Sequence, residues 1–463
     1  MKRSRKGKKT RVERDALGPK RVPAKAEYGI FTQRALENFE LSGETFPQIF
    51  IYSLALIKHA SARTNYALKK LGARAFHAIE RACLKVEKGA LGKEFVLDPF
   101  EAGAGTPVNM NVNEVLANQA NEALGKPKGR YKPVHPNDHV NMGQSSNDVI
   151  PSGIKIACLF LWKELKKETH GLSRALEGQA KKLRKIQKVG RTHLQDAVPI
   201  TLGEEFHAYS VSIARAQKEL ERAARDLEEL SLGGTAIGTG LNAPKGFDKR
   251  VIKELTRLTK IKLRPSREKI YLTQNMRAFV EWADALESLA IDVHKICDDF
   301  ILLSSGPRAG FGELILPAVE PGSSIMPGKV NPSIPEAVRM ACVQVRAHAE
   351  AVRMSAGEGQ LELNVMTPLI AYNLFKAMHL LENALRALNE KCVKGIQADR
   401  KRIQEMEENS LIHSTKLVPL LGYDTVARLV HKAVKEGKSL RAVLLEEKAL
   451  DEGRIEKILG RGK

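Results

Sequence analysis

The stretch EEFHAYSVSIARAQKELERAARDLEEL, residues 204–230, carries apolar residues at every third or fourth position. Six of them follow one another at spacings of 3, 4, 3, 4 and 3: Ile213, Ala216, Leu220, Ala223, Leu227 and Leu230. Because an α-helix completes a turn in about 3.6 residues, this spacing lines them up along one face. The stretch therefore predicts a long amphipathic helix that packs in a bundle.

The same pattern recurs on both sides of this stretch. It is repeated by Phe279, Ala283, Leu286, Ala290, Val293 and Cys297, and by Leu165, Leu172, Leu176 and Leu183. Helices are expected near residues 152–187, 203–231, 272–304, 333–355 and 365–396, joined by loops rich in Gly, Pro, Asn and Ser. The sequence thus predicts an all-α protein with a long central five-helix bundle.

Composition divides the chain into three predicted domains. Residues 1–145 carry more Pro, Gly and Asn and shorter helical runs, so they are interpreted as an N-terminal, mainly helical domain with a basic tail. Residues 146–396 hold the bundle. Helical patches shorten again over residues 397–463, which predicts a small C-terminal helical domain.

Hydropathy and cysteine usage restrict the class of protein. A hydrophobic fraction of 43% in 463 residues is enough for a sizeable core. The chain has no apolar run of membrane-spanning length and no signal-peptide pattern after MKRSRKGKKT, so a cytoplasmic protein without membrane association is expected. The five scattered Cys form no CxxC motif and are interpreted as reduced core thiols.

The net charge of +21 raises the question of nucleic-acid binding. Residues 1–25 alone have a balance of +9, from eleven Lys and Arg against two acidic residues. Elsewhere Lys and Arg alternate with Glu along predicted helices, which is typical of solvated, ion-paired faces. The tail KRSRKGKK (2–9) is interpreted as a disordered solubilising extension, with contact to polyanions as the alternative. Nucleic acid is not expected as a partner.

Four polar loops interrupt this helical background. They are AGAGTPVNMNVNE (102–114), HPNDHVNMGQSSND (135–148), GRTHLQDAVPITLG (190–203) and GSSIMPGKVNP (322–332). Each loop alone is compatible with a helix-capping connection. Together they concentrate hydroxyl and amide groups with His193 and Lys329, which predicts a pocket for an anion.

These loops resemble a known family. GSSIMPGKVNP, with GQSSND (143–148), GRTHLQDAVP (190–199) and GTGLN (238–242), is similar to the fumarase/aspartase superfamily, in the branch of class II fumarases and aspartate ammonia-lyases. The resemblance implies a three-domain, all-α subunit whose five-helix bundles associate into the twenty-helix core of a homotetramer. It also implies active sites that collect loops from three subunits and bind a small dicarboxylate.

The chemistry of such a site requires preorganised hydrogen-bond donors. Abstracting a proton from the carbon beside a carboxylate creates a dianionic aci-carboxylate, which these donors must stabilise. The predicted substrate-binding residues are Thr106, Ser145, Ser146, Asn147, Thr192, Ser324, Lys329 and Asn331. Because these side chains can hold the charge, no metal or other cofactor is expected.

The resemblance also implies the catalytic residues. Ser323 is implied as the general base, and His193 is implied to pair with Glu336. An ordinary hydroxyl is too weak a base at neutral pH, so a serine alkoxide needs local stabilisation. Lys329 and backbone N–H groups are expected to provide it when the glycine-flanked loop closes and excludes water.

Two reactions are compatible with the motifs. HPND (135–138) and SSND resemble fumarases, whereas AGAGT, SSGPRAG (304–310) and GQLELNVMTP (359–368) resemble aspartate ammonia-lyases. The hypothesis is therefore reversible elimination of ammonia from L-aspartate to give fumarate. Hydration of fumarate to L-malate is the alternative. A non-catalytic relative is disfavoured because the base, the lysine and the His–Glu pair are all present.

Overall fold

The computed structural model describes residues 9–459, which are mainly helical. Within that range the helices are α1 (Ile30–Asn38), α2 (Gln48–Ala67), α3 (Ala73–Glu87), α4 (Thr106–Ala123), α5 (Ser146–Leu183), α6 (Leu202–Leu227), α7 (Phe247–Thr259), α8 (Lys269–Gln274), α9 (Arg277–Leu303), α10 (Ser333–Ala356), α11 (Thr367–Lys391), α12 (Arg400–Asn409), α13 (Ser414–Leu421), α14 (Tyr423–Glu436), α15 (Leu440–Glu446) and α16 (Glu452–Leu459). The all-α prediction is confirmed. Most of the basic tail lies outside the described residues, so its interpretation as a disordered extension stays a prediction.

Short strands in the described range form four two-stranded sheets. They are β1 (Thr10–Asp15), β2 (Gly18–Pro23), β3 (Gln187–Thr192), β4 (Gln195–Thr201), β5 (Glu229–Leu230), β6 (Arg264–Pro265), β7 (Leu314–Ile315) and β8 (Gln397–Ala398). Strands β5 and β6 pair in parallel, whereas the other three pairs are antiparallel. Their small size is consistent with the predicted all-α class.

The five longest helices are α5, α6, α9, α10 and α11, with 24 to 38 residues each. They correspond to the five predicted helices and differ from them at the ends. Helix α5 begins at Ser146 rather than near residue 152, because a capping box starts it: the Ser145 N–H donates to Asp148 Oδ1 at 3.0 Å. It ends at Leu183 rather than near residue 187, because Gln187 pairs with Thr201 in the β3–β4 hairpin.

The chain divides into two compact units. Among the described residues, unit 1 consists of 9–166, Lys218–Ser288 and Gln344–Leu381, and unit 2 of Lys167–Gln217, Leu289–Val343 and 382–459. Each of the five longest helices contributes one part to unit 1 and the rest to unit 2. The predicted domain boundaries at residues 145 and 396 stay predictions.

The core of unit 1 is centred on Trp282 of α9. This side chain is fully buried and meets Trp162 of α5 edge-on, with 5.5 Å between ring centroids. Its indole N–H donates to the sulfur of Met378 on α11 at 3.3 Å. Trp282 therefore packs three of the long helices together.

The core of unit 2 contains a second aromatic contact on the same helix. Phe300 of α9 stacks on Phe206 of α6 with 5.5 Å between centroids, and both side chains are fully buried. Close by, the Tyr209 hydroxyl donates to Asp299 Oδ2 at 2.6 Å. Phe206 and Tyr209 continue the alternating spacing of the seam toward the start of α6, so this end of the face packs against α9, as expected for a bundle helix.

The last four helices, α13 to α16, share an apolar cluster of their own. Its fully buried members include Leu417, Leu429, Val443, Leu444 and Ile455. All five cysteines of the chain are free and buried, which confirms their interpretation as core thiols. Among residues 9–459, no helix combines the length and the apolarity needed to cross a membrane.

Candidate active site

The segment GSSIMPGKVNP forms a loop before α10 whose two ends are hydrogen-bonded to each other. The Gly322 N–H donates to the carbonyl oxygen of Lys329 at 2.9 Å, and Asn331 Nδ2 donates to the carbonyl oxygen of Gly322 at 2.7 Å. A Cβ at position 322 would lie 2.4 Å from the Lys329 carbonyl oxygen, so only glycine permits this approach. The ends of the loop are thereby held together, and Asn331 keeps one amide hydrogen for another acceptor.

Ser323 follows this closure and is partly exposed. The backbone N–H groups of Ile325 and Met326 donate to Ser323 Oγ at 3.2 and 3.0 Å. Two donors on one oxygen favour negative charge there, because hydrogen bonds to the charged form lower its free energy. Serine turns without a catalytic role share this geometry. A positive charge in the same loop is therefore needed to distinguish a serine base from an ordinary serine turn.

Lys329 supplies that charge. Its side chain is exposed, and within residues 9–459 its amino group forms no hydrogen bond or ion pair. The loop borders an open concavity of about 540 Å³, whose lining includes Ser323 and Lys329. An unpaired ammonium that lines the same concavity as a hydroxyl accepting two N–H groups is suited to bind a carboxylate.

Thr192 and His193 lie at the tip of the β3–β4 hairpin. Thr192 pairs with Gln195, so His193 and Leu194 form the two-residue turn, with φ of +54° and +58°. Such turns favour Asn and Gly, since other residues are strained at positive φ. The side chains of Thr192, His193 and Leu194 are all exposed. A histidine at this strained, exposed position indicates a role other than forming the turn.

The base of this hairpin is fixed by a buried carboxylate. Glu313 has no exposed surface and forms ion pairs with Lys188 at 3.1 Å and with Arg191 at 2.7 Å. Because Arg191 immediately precedes Thr192, these pairs hold the strand that ends in the exposed tip.

In unit 1, Thr106 is the first residue of α4. The preceding Gly105 has φ of +80°, and a Cβ there would lie 2.9 Å from Ile150, so the turn requires glycine. The Thr106 hydroxyl donates to the carbonyl oxygen of Gly103 at 2.7 Å. The partial positive charge of a helix N-terminus makes this position favourable for an anion.

Ser145, Ser146 and Asn147 lie at the start of α5. Asn109 Nδ2, from α4, donates to Ser146 Oγ at 3.2 Å, so the first turns of the two helices are joined. Asn147 Nδ2 donates to the carbonyl oxygen of Ala236 at 2.7 Å, and its backbone N–H donates to Ser145 Oγ at 3.3 Å. Two helix N-termini therefore meet beside this cluster of polar side chains.

Asp148 supports this cluster and was not singled out from the sequence. It is fully buried, and its carboxylate accepts N–H groups from Ser145, Gly233 and Thr235 at 3.0, 3.1 and 2.9 Å. Burial raises the pKa of Asp148 to about 6, although these backbone donors act in the opposite direction. The pattern S-x-x-D at residues 145–148 is a capping-box signature that would have predicted part of this role.

Comparison with known proteins assigns the chain to a family. A family model described as Lyase matches residues 18–347, and one described as Fumarase C C-terminus matches residues 414–460. The chain belongs to the fumarase/aspartase superfamily.

Individual members of the superfamily match almost the whole chain. An aspartate ammonia-lyase of Pseudomonas aeruginosa is 43% identical over 454 residues, which are 97% of this chain and 96% of that protein. A class II fumarate hydratase of Brucella suis is 43% identical over 447 residues, 96% of each chain. The crystal structure of a class II fumarase from Schistosoma mansoni matches with a TM-score of 0.95 at 38% identity, covering 97% of this chain and 98% of that one. The similarity thus identifies a lyase of this superfamily. The sequence identity to the aspartate ammonia-lyase equals that to the fumarate hydratase.

The predicted residues of this superfamily member fall into separate groups. Unit 1 brings the start of α4 beside Ser145–Asn147, while unit 2 carries the hairpin tip and the loop with Ser323. Ser324 is exposed in that loop, and Glu336 is exposed in the first turn of α10. Within the part of unit 2 that the structure describes, no hydrogen bond or ion pair joins His193 to Glu336. Their pairing stays a prediction.

Proposed function

We propose that this lyase is an aspartate ammonia-lyase, which eliminates ammonia from L-aspartate to give fumarate in a reversible reaction. The observation that supports its chemistry most is the environment of Ser323. The hydroxyl oxygen accepts two backbone N–H groups, and the unpaired cation of Lys329 lies in the same loop. Both features lower the free energy of an alkoxide.

In the proposed mechanism the Ser323 alkoxide takes a proton from the carbon beside the β-carboxylate of L-aspartate. The C–H electron pair moves into that carboxylate and forms the aci-carboxylate. Lys329, with the second amide hydrogen of Asn331, stabilises the added charge. The intermediate then collapses to fumarate as the C–N bond breaks and neutral ammonia leaves. Ser323 ends as the neutral hydroxyl.

The remaining predicted ligands have distinct roles in this proposal. Thr106, Ser145, Ser146 and Asn147 bind the substrate with hydroxyl and amide groups at two helix N-termini. Thr192 and Ser324 contribute further hydroxyl donors. His193 contacts the amino group and is oriented by Glu336, which is consistent with its exposed position in a strained turn.

Class II fumarate hydratase is the second candidate. It is supported by the HPND and SSND segments and by relatives of equal identity. The choice of aspartate ammonia-lyase is supported by AGAGT, SSGPRAG and GQLELNVMTP.

The two candidates differ in what they require of His193. Hydration needs water to be held and activated, whereas neutral ammonia is already a good nucleophile. We expect wild-type protein to release fumarate faster from L-aspartate than from L-malate. We also expect His193→Gln to keep a measurable share of deamination, because an amide replaces a neutral imidazole as a donor but cannot take up a proton. Fumarate absorbance in the ultraviolet measures both. Faster malate turnover, with both activities abolished in His193→Gln, would assign the protein as a fumarase.

We further propose a homotetramer with active sites shared between subunits. Apolar side chains exposed on the bundle helices support association, among them Ile291 of α9 and Met340 and Val343 of α10, which are 47%, 73% and 53% exposed. Sedimentation should give a mass about four times that of the chain, with activity lost on dilution to monomers. Active monomers would contradict the shared site.

A further inference from the structure

A lysine of α2 is buried below the polar cluster of unit 1. Lys58 has no exposed surface, and moving an amino group out of water is costly unless hydrogen bonds replace those to water. Its Nζ donates to Asn141 Oδ1 at 2.8 Å and to Gln144 Oε1 at 3.0 Å. Both acceptors belong to residues 141–144, which lead directly into Ser145. The lysine thus contacts the connection before α5.

Asn141 is the point where hydrogen bonds from two helices converge. Besides Lys58, Asn109 Nδ2 and Asn113 Nδ2 of α4 donate to its Oδ1, each at 3.3 Å. Its own Nδ2 donates to the carbonyl oxygen of Gln144 at 3.2 Å. The side chain of Asn141 is therefore held by three donors, and its own amide group holds the backbone of Gln144.

The same network extends to the predicted substrate ligands. Asn109 donates both to Asn141 and to Ser146 Oγ, so the two contacts share one amide group. Asp148 holds the Ser145 N–H from the other side. Burial lowers the pKa of Lys58 to about 7, while the negative charge of Asp148 opposes this. A neutral amine and an ammonium both have enough hydrogens for the two acceptors, so the anchor does not depend on the charge of Lys58.

We infer that Lys58 is a positioning residue that holds Ser145, Ser146 and Asn147 in their substrate-binding arrangement. The inference rests on the proposed function, because it takes these three residues as substrate ligands. Lys58 acts through Asn141 and Gln144 and does not touch the substrate. Its loss should weaken substrate binding because the ligands would no longer be preorganised.

The chain offers a matched control for the alternative that Lys58 contributes only to stability. Lys155 of α5 is also in unit 1, is 4% exposed, and donates to the carbonyl oxygen of Glu229 at 2.8 Å. Burial lowers its pKa as well, to about 8. Its hydrogen bond to Glu229 and its contact with the Phe279 ring both lie outside residues 141–147. Lys155→Met therefore removes a buried lysine without removing the anchor.

The experiment compares Lys58→Met and Lys155→Met in the full-length protein. We expect Lys58→Met to raise the KM for L-aspartate roughly tenfold, with a smaller change in kcat, whereas Lys155→Met should change KM less than about twofold. Hydrogen–deuterium exchange should show faster exchange of the amides of residues 141–147 in Lys58→Met alone. If L-malate proves to be the substrate, its KM replaces that of L-aspartate.

A second variant covers the case in which Lys58→Met does not fold. Asn141→Ala alters a partly exposed residue and cuts the same anchor, so it should raise KM and accelerate exchange in the same segment. Unchanged KM and unchanged exchange in the folded variant would overturn the inference, as would an equal rise of KM in Lys155→Met. Wild-type protein that turns over neither substrate would instead overturn the proposed function. The exchange measurement needs no substrate and would still decide whether Lys58 holds the segment.

Discussion

Ser323→Ala is expected to lower kcat by several orders of magnitude while substrate binding persists. The proposed base acts only in the chemical step, so its removal should leave the contacts that bind the substrate in place. A variant that loses an interaction made only in the transition state loses kcat and kcat/KM together, with KM nearly unchanged. Steady-state kinetics on the deamination of L-aspartate, with fumarate binding measured directly, would test this.

Ser288→Ala is a suitable control for this variant. Ser288 is an exposed serine of α9 whose hydroxyl donates to the carbonyl oxygen of Asp284 at 2.9 Å, so the same atoms are removed outside the site. Its kcat should equal that of the wild type. More than about a tenth of wild-type turnover in Ser323→Ala would remove Ser323 from the role of base.

Lys329→Ala should reduce both binding and turnover. It removes an unpaired cation from the loop that is proposed to close over a dianionic intermediate, where water is excluded and charge interactions are strong. The loss should exceed the roughly 1 kcal/mol that an exposed ion pair contributes. KM should rise because the substrate already carries the carboxylate that Lys329 binds. The value of kcat should also fall, because the intermediate carries more negative charge than the substrate and loses more stabilisation.

The comparison for Lys329→Ala is Lys394→Ala, which removes an exposed lysine of the same unit outside the loop. This control separates loss of a specific contact from loss of general positive charge. Raising the salt concentration should weaken any long-range contribution in both proteins equally. A KM for Lys329→Ala that equals the wild-type value would show that this lysine does not hold the substrate carboxylate.

Local periodicity was sufficient to predict the five long helices. The spacing of apolar residues in 204–230 depends only on the pitch of the α-helix, so the helix can be predicted without knowing which segments pack against it. The ends were less predictable, because the hairpin of β3 and β4 competes with the end of α5 through pairing between separate segments. The start of α5 could have been predicted from the sequence, since the capping box spans only Ser145 to Asp148.

Some residues of the candidate site could likewise be predicted from local sequence, whereas the arrangement of others depends on pairing between distant segments. Ser323, Lys329 and Asn331 were predicted from one continuous motif, and the bonds around Ser323 Oγ come from residues two and three positions away. His193 was predicted from its motif, but its strained turn depends on the register of β3 against β4. The strand that leads to this turn is held by the ion pair of Arg191 with Glu313, which lies 122 positions away.

The sequence by itself determined the helical class, the long bundle helices and the superfamily motifs, because each of these features depends on residues that are close together along the chain. Only the tertiary structure revealed that Lys58 is buried and bonded to Asn141, 83 positions away. A lysine in the middle of a helix normally faces water, and its burial becomes favourable only where acceptors from another segment replace the lost water. The tertiary structure also decided that Asp148 accepts N–H groups from residues 233 and 235. Such long-range hydrogen bonds leave no periodic signal in the chain, because their partners are brought together only by folding.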